Sequence, residues 1–295
     1  MRPLVSIIVN CKNGENYLEK CLSSIENQIF QDWEVIFFDN NSSDDSSKIF
    51  KKYKDKRFKY FSSKKDETLY KARNLACEQA CGKYIAFLDT DDWWDENYLS
   101  SKKEFLTNSN YDYLYSNVFL YHEKKNNFVK YKNINLPDNL IYDFLSKDYF
   151  IIISGLIIKK KILEKEGYFN RSYNIIGDFD LLMRISQYAN AKSFDEPLIY
   201  YRVHENNFSK KNNKMYFNEY NNWFQSQKNL GNKLFLKNIK YFQFRLDKLE
   251  IIYLLYEKRN FELLIKIMKF SYFPLKIKFF LAFFLPFKLI NLFRK

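Results

Sequence analysis

Through its first hundred residues the chain alternates two hydrophobic rhythms. Short unbroken apolar runs stand at residues 4–9 (LVSIIV), 34–38 (EVIFF), 58–61 (FKYF) and 84–88 (YIAFL). Between them, apolar residues recur at helical spacing. Tyr17, Leu18, Cys21, Leu22 and Ile25 form one such set; Ala72, Leu75, Ala76 and Ala80 form another, with Gly82 predicted to stop the second helix. Continuous runs bounded by polar clusters read as strands buried on both faces, and helices between such strands are the crossovers of βαβ units. The pattern predicts an α/β fold with a mostly parallel central sheet.

Beyond residue 100 the rhythm changes. YDYLYSNVFLYHE (111–123) and NNFVKYK (126–132) read as longer strands joined by hairpins, YFIIISGLII (149–158) as another buried strand, and EPLIYYRVH (196–204) as a last strand. Residues 95–105 and 177–189 read as helices, the second opening on acidic residues. Helical spacing then runs through 216–229, 234–256 and 261–270 into a Phe-rich tail.

Charge divides the chain. Residues 206–295 hold 18 of the 48 basic and 5 of the 35 acidic side chains, so the whole excess of thirteen positive charges lies there and residues 1–205 balance. This supports a boundary near residue 206. Six glycines and five prolines are too few for a linker-rich chain. Cys11, Cys21, Cys77 and Cys81 match no zinc spacing and each histidine is isolated, so the cysteines read as reduced thiols packed as small apolar groups. The start, MRPLVSIIV, enters a strand directly without signal-peptide patterning, and no uncharged run of 18 apolar residues occurs. A cytoplasmic protein is expected.

Three polar clusters follow predicted strands: NCKNGE (10–15), DNNSSDD (39–45) and DTDD (89–92). Parallel sheets bind ligands beyond the carboxyl ends of their strands, so the three clusters converge on one site. Asp89, Asp91 and Asp92 crowd three carboxylates into four positions. They raise one another's pKa unless a cation stands among them, and a hard divalent ion, Mg²⁺ or Mn²⁺, takes carboxylates together with phosphate oxygens. The alternative is a solvated acidic turn that caps the helix at 95–105.

VSIIVNCKNGENYLEKCLSSIENQ, VIFFDNNSSDDS, ARNLACEQACGKYIAFLDTDDWW, GDFDLLMRI and YYRVHENNFS stand in the order and spacing of the family 2 glycosyltransferases, which the chain resembles over about residues 4–209. The resemblance implies the GT-A fold, a Rossmann-like sheet flanked by helices, and inverting sugar transfer from a nucleotide-sugar donor, here a UDP-sugar. Residues 1–209 would be the catalytic domain, with the nucleotide-sugar half at about 1–100 and the acceptor half at about 101–209; residues 210–295 would be a basic helical, membrane-associating extension. Asn10 and Lys12 would approach the nucleotide, Lys12 standing where an aromatic often stacks on the base. Asp39 and Asn40 take the place of an acidic pair that binds the base, and the Asn40 oxygen can still accept from uracil N3–H. Arg73 would hold the nucleotide or its phosphates, and Asp89 the ribose. Asp91 would bind Mn²⁺ or Mg²⁺, with Asp92 as a rival ligand and His204 reaching the metal or the diphosphate.

Asp178 is the expected general base, with Asp180 as the alternative; many relatives carry Glu-Asp where this chain has Gly177-Asp178. Trp93 and Trp94 either line an acceptor sugar or pack in the core. Arg202 meets either phosphate or an acidic neighbour, and His122, in a hairpin, is structural or solvated. The tail, FPLKIKFFLAFFLPFKLINLFRK (273–295), mixes dense apolar residues with Lys276, Lys278, Lys288, Arg294 and Lys295 and is broken at Pro286. It suits a helix pair lying in an anionic membrane interface, against the alternative of a helix packed on the catalytic domain. No nucleic-acid motif accompanies the charge, so nucleic acid is not an expected partner.

Resemblance and tail together imply a lipid-linked glycan acceptor at the inner face of the cytoplasmic membrane, in surface-polysaccharide synthesis such as that of lipopolysaccharide. Three competing readings remain. A nucleotidyltransferase would need a Gly-rich phosphate loop, and NCKNGENYLEK has one glycine. The others are a polyprenyl-phosphate glycosyltransferase and a non-catalytic, membrane-associated glycan-binding protein.

Overall fold

Seven consecutive residues with no exposed member make the first strand, β1 (Val5–Cys11). Val5, Ile7, Val9 and Cys11 turn to one side of the sheet, where α1 (Leu18–Glu26) seats Leu18, Cys21, Leu22 and Ile25 against them. Each such side chain, fully buried, contributes roughly 2 kcal/mol. β2 (Trp33–Asp39) is buried throughout as well, and α2 (Ser46–Phe50) covers it by stacking Phe50 on Phe37 at 4.5 Å. β3 (Phe58–Ser62), α3 (Leu69–Gln79) and β4 (Tyr84–Phe87) follow. Phe87 points to the opposite side of the sheet, where Phe169 bridges it to Tyr70 of α3.

The computed structural model describes residues 2–108, 110–132, 137–257 and 260–285. Contacts divide the chain into two units, Met1–Glu205 and Asn206–Lys295, at the position where the charge balance changes.

The remaining elements of the first unit are β5 (Trp93–Trp94), α4 (Lys103–Asn108), β6 (Tyr113–Ser116), β7 (Phe119–His122), β8 (Asn127–Lys130), α5 (Tyr142–Lys147), β9 (Leu156–Lys159), α6 (Lys160–Lys165), α7 (Gly177–Ile185), β10 (Ala191–Phe194) and β11 (Ile199–Val203). The main sheet has the order β10-β6-β9-β4-β1-β2-β3. β4, β1, β2 and β3 run parallel, as do β10 and β6, whereas β9 is inserted antiparallel between β4 and β6. A second sheet, β5-β11-β7-β8, stands beside it.

Several sequence expectations are corrected here. The run 111–123 is two strands in two sheets. Asn117, buried between them, donates its backbone N–H to Phe194 O at 2.8 Å and its amide to Lys132 O, so the chain leaves one ladder for the other. The run 149–158 is mostly not strand: Ile153–Gly155 form a 3₁₀ turn and only Leu156 onward pairs. β10 (AKSF) went unrecognised because its sequence is half polar. The helix expected at 95–105 begins only at Lys103, since Trp93–Trp94 pair with β11. Gly82 does not stop α3, which ends at Gln79 with Ala80 already extended. A Cβ at residue 82 would lie 2.6 Å from the Ser6 backbone nitrogen, so glycine is required there by the close passage of the chain across β1.

The second unit is helical: α8 (Phe208–Lys211), α9 (Asn213–Asn229), α10 (Lys233–Glu257), α11 (Phe261–Lys269) and α12 (Phe273–Phe284). Ring contacts among Trp223, Phe224, Phe235 and Phe242 join α9 to α10. Ile251, Leu255, Leu263, Ile267, Phe270 and Phe279 close α10, α11 and α12 on one another. The opposite sides of α11 and α12 leave Phe261, Met268, Phe273, Ile277, Leu281 and Phe284 exposed. Among the described residues no helix is long and apolar enough to cross a membrane. Pro286, Lys288, Arg294 and Lys295 of the expected tail lie outside the described residues.

Lys102, in a 3₁₀ turn (Ser100–Lys102), has no exposure. Its ammonium sits 4.3 Å from the Tyr98 ring centre and 4.5 Å from that of Phe194, and donates to Ser101 Oγ at 2.8 Å. Burial lowers its pKa to about 7, against a smaller opposing effect of Glu196. An unfolded lysine stays protonated up to about pH 10.4. Between these values the unfolded state holds the extra proton, so this group's cost is full below about pH 7 and fades as pH rises. Lys102→Met is therefore expected to be more stable than the parent by on the order of 3 kcal/mol at pH 6. Urea unfolding should show that gap shrinking steadily towards pH 10; a gap independent of pH would refute the assignment.

Candidate active site

The loops at the carboxyl edge of β1, β2 and β3 are bound to one another before any ligand is considered. Glu15 N–H donates to Asp44 Oδ2 at 2.9 Å, Asp45 N–H returns the bond to Glu15 Oε2 at 3.0 Å, and Gly14 N–H donates to Ser46 Oγ at 2.9 Å. Asn13 and Asn41 take left-handed backbone conformations (φ 54° and 58°), which asparagine tolerates better than most residues, and Asn13 Oδ1 accepts from Ser43 N–H at 2.8 Å. Lys12 donates to Asn41 O and to Asp66 Oδ1, both at 2.7 Å, and so ties the β1 loop to the β3 loop.

Asp39 ends β2 and is buried. Its Oδ1 accepts from Ser42 N–H at 2.8 Å and its Oδ2 from the Tyr60 hydroxyl at 2.7 Å. Burial, with Asp39 adding to it, pushes the Tyr60 hydroxyl above its usual pKa, so it remains a donor. Asn40 is bonded to the loop after β3. Its Oδ1 accepts from Glu67 N–H at 3.0 Å and Ser63 Oγ at 3.1 Å, and its amide donates to Glu67 O at 2.9 Å. Asn40 thus clamps the 63–67 loop.

Beyond β4, the carboxylate oxygens of Asp89, Asp91 and Asp92 lie within 4.8 Å of one another. Arg73 Nη2 donates to Asp89 Oδ1 at 2.5 Å. His204 Nε2 lies 2.9 Å from Asp91 Oδ2, which brings two residues 113 positions apart together. Asp92 turns inward: Oδ2 accepts from the Ser154 hydroxyl at 2.5 Å and Oδ1 from Arg202 N–H at 2.9 Å. Burial raises the pKa of Asp89, with Asp91 and Asp178 adding to the rise and Arg73 opposing it. Burial raises Asp92 far more, with Asp91 and Asp89 adding their repulsion.

A divalent cation would relieve this crowding, and a set dominated by carboxylate oxygens, with the His204 imidazole beside it, suits Mn²⁺ or Mg²⁺. Two further observations fit a polar ligand beside it. The amide nitrogen and oxygen of Asn10 and Nη1 of Arg73 are buried and make no hydrogen bond within the protein. Buried polar groups left in that state cost about 1–3 kcal/mol each.

Asp178 is the second residue of α7, so it is not the N-cap; Ile176 occupies that position. Its Oδ1 accepts from the Tyr70 hydroxyl at 2.9 Å and its Oδ2 from that of Tyr149 at 3.2 Å. Burial raises its pKa, while Tyr70, the Phe179 N–H, Arg73 and Tyr149 hold the rise back. Asp180 faces away to Arg184, whose Nε stands 3.2 Å from Oδ2.

Arg202 meets an acidic neighbour, Glu123, at 3.3 Å, and its Nε donates to Asp91 O at 2.9 Å. Trp94 is core, its indole N–H donating to Ser154 O at 2.8 Å. Trp93 stacks on the Tyr200 ring at 5.0 Å, meets the Lys20 ammonium at 3.6 Å and lines the adjoining cleft. Tyr200, Phe119 and Phe128 floor this cleft of about 670 Å³, rimmed by Lys20 and Asn27. His122 closes the β7–β8 hairpin. Sequence reasoning missed Tyr60, Tyr70, Tyr149 and Ser154. Each is a lone hydroxyl on an element distant in sequence from its carboxylate, and no spacing rule marks it.

A family model described as glycosyl transferase family 2 matches residues 6–176. The glycosyltransferase GlyA of Streptococcus pneumoniae is 26% identical over 210 residues, 63% of this chain but 30% of that protein's length. The UDP-Glc:alpha-D-GlcNAc-diphosphoundecaprenol beta-1,3-glucosyltransferase WfaP of Escherichia coli is 30% identical over 209 residues, 70% of this chain and 80% of WfaP. The solved structure of S. aureus TarS 1–349 in complex with UDP superposes with a TM-score of 0.57 at 18% identity, covering 96% of this chain and 80% of that one. The fold is GT-A.

The clamp on the 63–67 loop is open to test. Asn40→Ala removes three hydrogen bonds at once, and the Glu67 amide is expected to exchange with solvent at least about tenfold faster, since one lost bond is worth about 1 kcal/mol or more. Unchanged exchange at Glu67 in a folded variant would show that the loop is held by other contacts.

Proposed function

This chain belongs to glycosyl transferase family 2, and we propose that it transfers a sugar with inversion from a UDP-sugar to a hydroxyl of a lipid-linked glycan, at the cytoplasmic face of a membrane. The observation that carries the reading is the meeting of two acidic centres from distant parts of the chain. The Asp89–Asp91–Asp92 cluster and the half-buried Asp178 are joined by Arg73, which pairs with the first and influences the second. The likeness to WfaP, a glucosyltransferase acting on a diphosphoundecaprenol-linked sugar, and to TarS, solved with UDP, supports the substrate classes.

In this reading Asp39, its carboxylate fixed by Ser42 and Tyr60, accepts from the base. Asn10 and the Nη1 of Arg73 supply the polar contacts that the protein leaves unmade around them. Asp91 and His204 hold Mn²⁺ or Mg²⁺, which when bound neutralises charge developing on the departing diphosphate. Asp92, with both oxygens on protein donors, positions the loop and leaves ligation to Asp91. Asp178 takes the proton of the acceptor hydroxyl as that oxygen bonds to the anomeric carbon and the carbon–oxygen bond to the diphosphate breaks. The ion pair of Asp180 with Arg184 favours Asp178 for this role.

The membrane part of the proposal rests on the second unit. Phe261, Ile265 and Met268 of α11, and Phe273, Ile277, Leu281 and Phe284 of α12, recur at helical spacing and are exposed. Lys269, Lys276 and Lys278 flank them, whereas Lys266 is paired with Glu250. An apolar stripe bordered by lysines is the pattern of a helix lying in an anionic interface, each lysine contributing about 1 kcal/mol.

Two outcomes check the proposal. With a panel of nucleotide sugars and Mn²⁺, the parent should turn over a UDP-sugar, and Asp91→Asn and Asp178→Asn should each lower turnover by at least about 100-fold without loss of folding; undiminished turnover in either refutes the assigned role. Vesicles containing phosphatidylglycerol should bind the chain in a salt-sensitive way, and the double change Phe273→Ser and Leu281→Ser should weaken that binding by about tenfold or more. Equal binding by parent and variant would remove α12 from the interface.

A further inference from the structure

We infer that Tyr70 is a positioning residue for the reaction: its hydroxyl, admitted by the missing side chain of Gly177, fixes the Asp178 carboxylate for proton removal. The inference rests on the reading of Asp178 as the base. Its geometry begins at residue 177. A Cβ built on Gly177 would lie 2.4 Å from both Cγ and Cδ2 of Tyr70, a separation no real side chain adopts. The Tyr70 ring therefore fills the volume that any side chain at 177 would need. This contact is what requires glycine at position 177, the first residue of α7.

Tyr70 is 3% exposed, and its hydroxyl reaches Asp178 Oδ1 at 2.9 Å. Tyr149 serves the other oxygen at 3.2 Å, so each carboxylate oxygen has one hydroxyl donor. Burial and the neighbouring Asp178 push the Tyr70 hydroxyl far above its usual pKa, which keeps it a donor wherever the enzyme is folded.

The contact is braced from both ends. Asn74, one turn beyond Tyr70 on α3, donates to Phe169 O at 2.8 Å and accepts from Phe169 N–H at 3.1 Å. The Leu69 N–H donates to Asn174 Oδ1 at 2.9 Å. Segment 169–174 leads directly into α7, so α3 and the start of α7 move as one piece. Arg73, three residues after Tyr70, lies 5.1 Å from its ring centre and pairs with Asp89. One turn of α3 thus spaces the proton acceptor from the donor-side carboxylates.

The groups facing Asp178 are Tyr70 and Arg73 from α3 and Tyr149 from the segment before β9, with Asp89 after β4 and Tyr201 of β11 coupled to it through charge. A hydroxyl donated to a carboxylate favours its ionised form. Removing it should therefore raise the pH at which Asp178 gains its proton, and also free the carboxylate to rotate. A residue that only filled space would do neither, because phenylalanine fills the same space.

The test is Tyr70→Phe, which keeps the ring, read in two ways. With aspartate ¹³C-labelled at the carboxyl carbon and Asp178→Asn for assignment, the Asp178 titration midpoint should rise by about one pH unit relative to the parent. With the UDP-sugar that the parent turns over and Mn²⁺, kcat should fall at least about tenfold, donor KM should stay within about twofold, and the acid limb of kcat/KM should move up with the midpoint. An unmoved carboxyl midpoint overturns the positioning role whatever the activity. A midpoint that rises while the acid limb stays in place leaves the contact intact and overturns the reading of Asp178 as the base.

Discussion

An arginine side chain buried to within 2% of complete enclosure has to be paired, and Arg73 meets Asp89 at 2.5 Å. Most of the site's geometry hangs on that pair. It fastens the middle of α3 to the residue that follows β4, holds the edge of the acidic cluster against its own repulsion, and places Tyr70 one turn earlier on the same helix. Removing one partner of such a pair costs about 3–5 kcal/mol, because the other is left charged and poorly solvated. Replacing both with apolar residues is far cheaper. The pair's worth therefore lies in specifying geometry, and net stability is a minor part of it.

The half of the fold that is most regular was also the most legible. β1, β2 and β4 are buried on both faces and read as unbroken apolar runs, while α1 shows helical spacing because it has one buried stripe. Legibility fails where a strand changes sheet or is short. At Ser116-Asn117 two polar residues interrupt a run that is apolar on either side, too brief a break to mark the change of hydrogen-bonding partner. β10 is an edge strand with two polar residues in four, which leaves no periodic signal.

The site divides along a similar line. The acidic positions are visible because carboxylates at the end of an apolar run conflict with burial and need a reason. The hydroxyls that fix them are not, because a buried tyrosine such as Tyr70 or Tyr149 looks in sequence like any aromatic core residue. Asn40 has a role that its place in a familiar block does not announce: its three bonds to Ser63 and Glu67 hold a loop.

The side-chain lattice across the β1 and β2 loops has a thermodynamic consequence. The backbone N–H groups of Asn13, Gly14, Glu15, Ser42, Ser43, Asp45 and Ser46 are all satisfied by neighbouring side chains. Fixing one residue's backbone costs about 1–2 kcal/mol of conformational entropy, and here folding has already met that cost. A ligand docking at this rim would meet loops already fixed, so its capture would cost little further chain freedom.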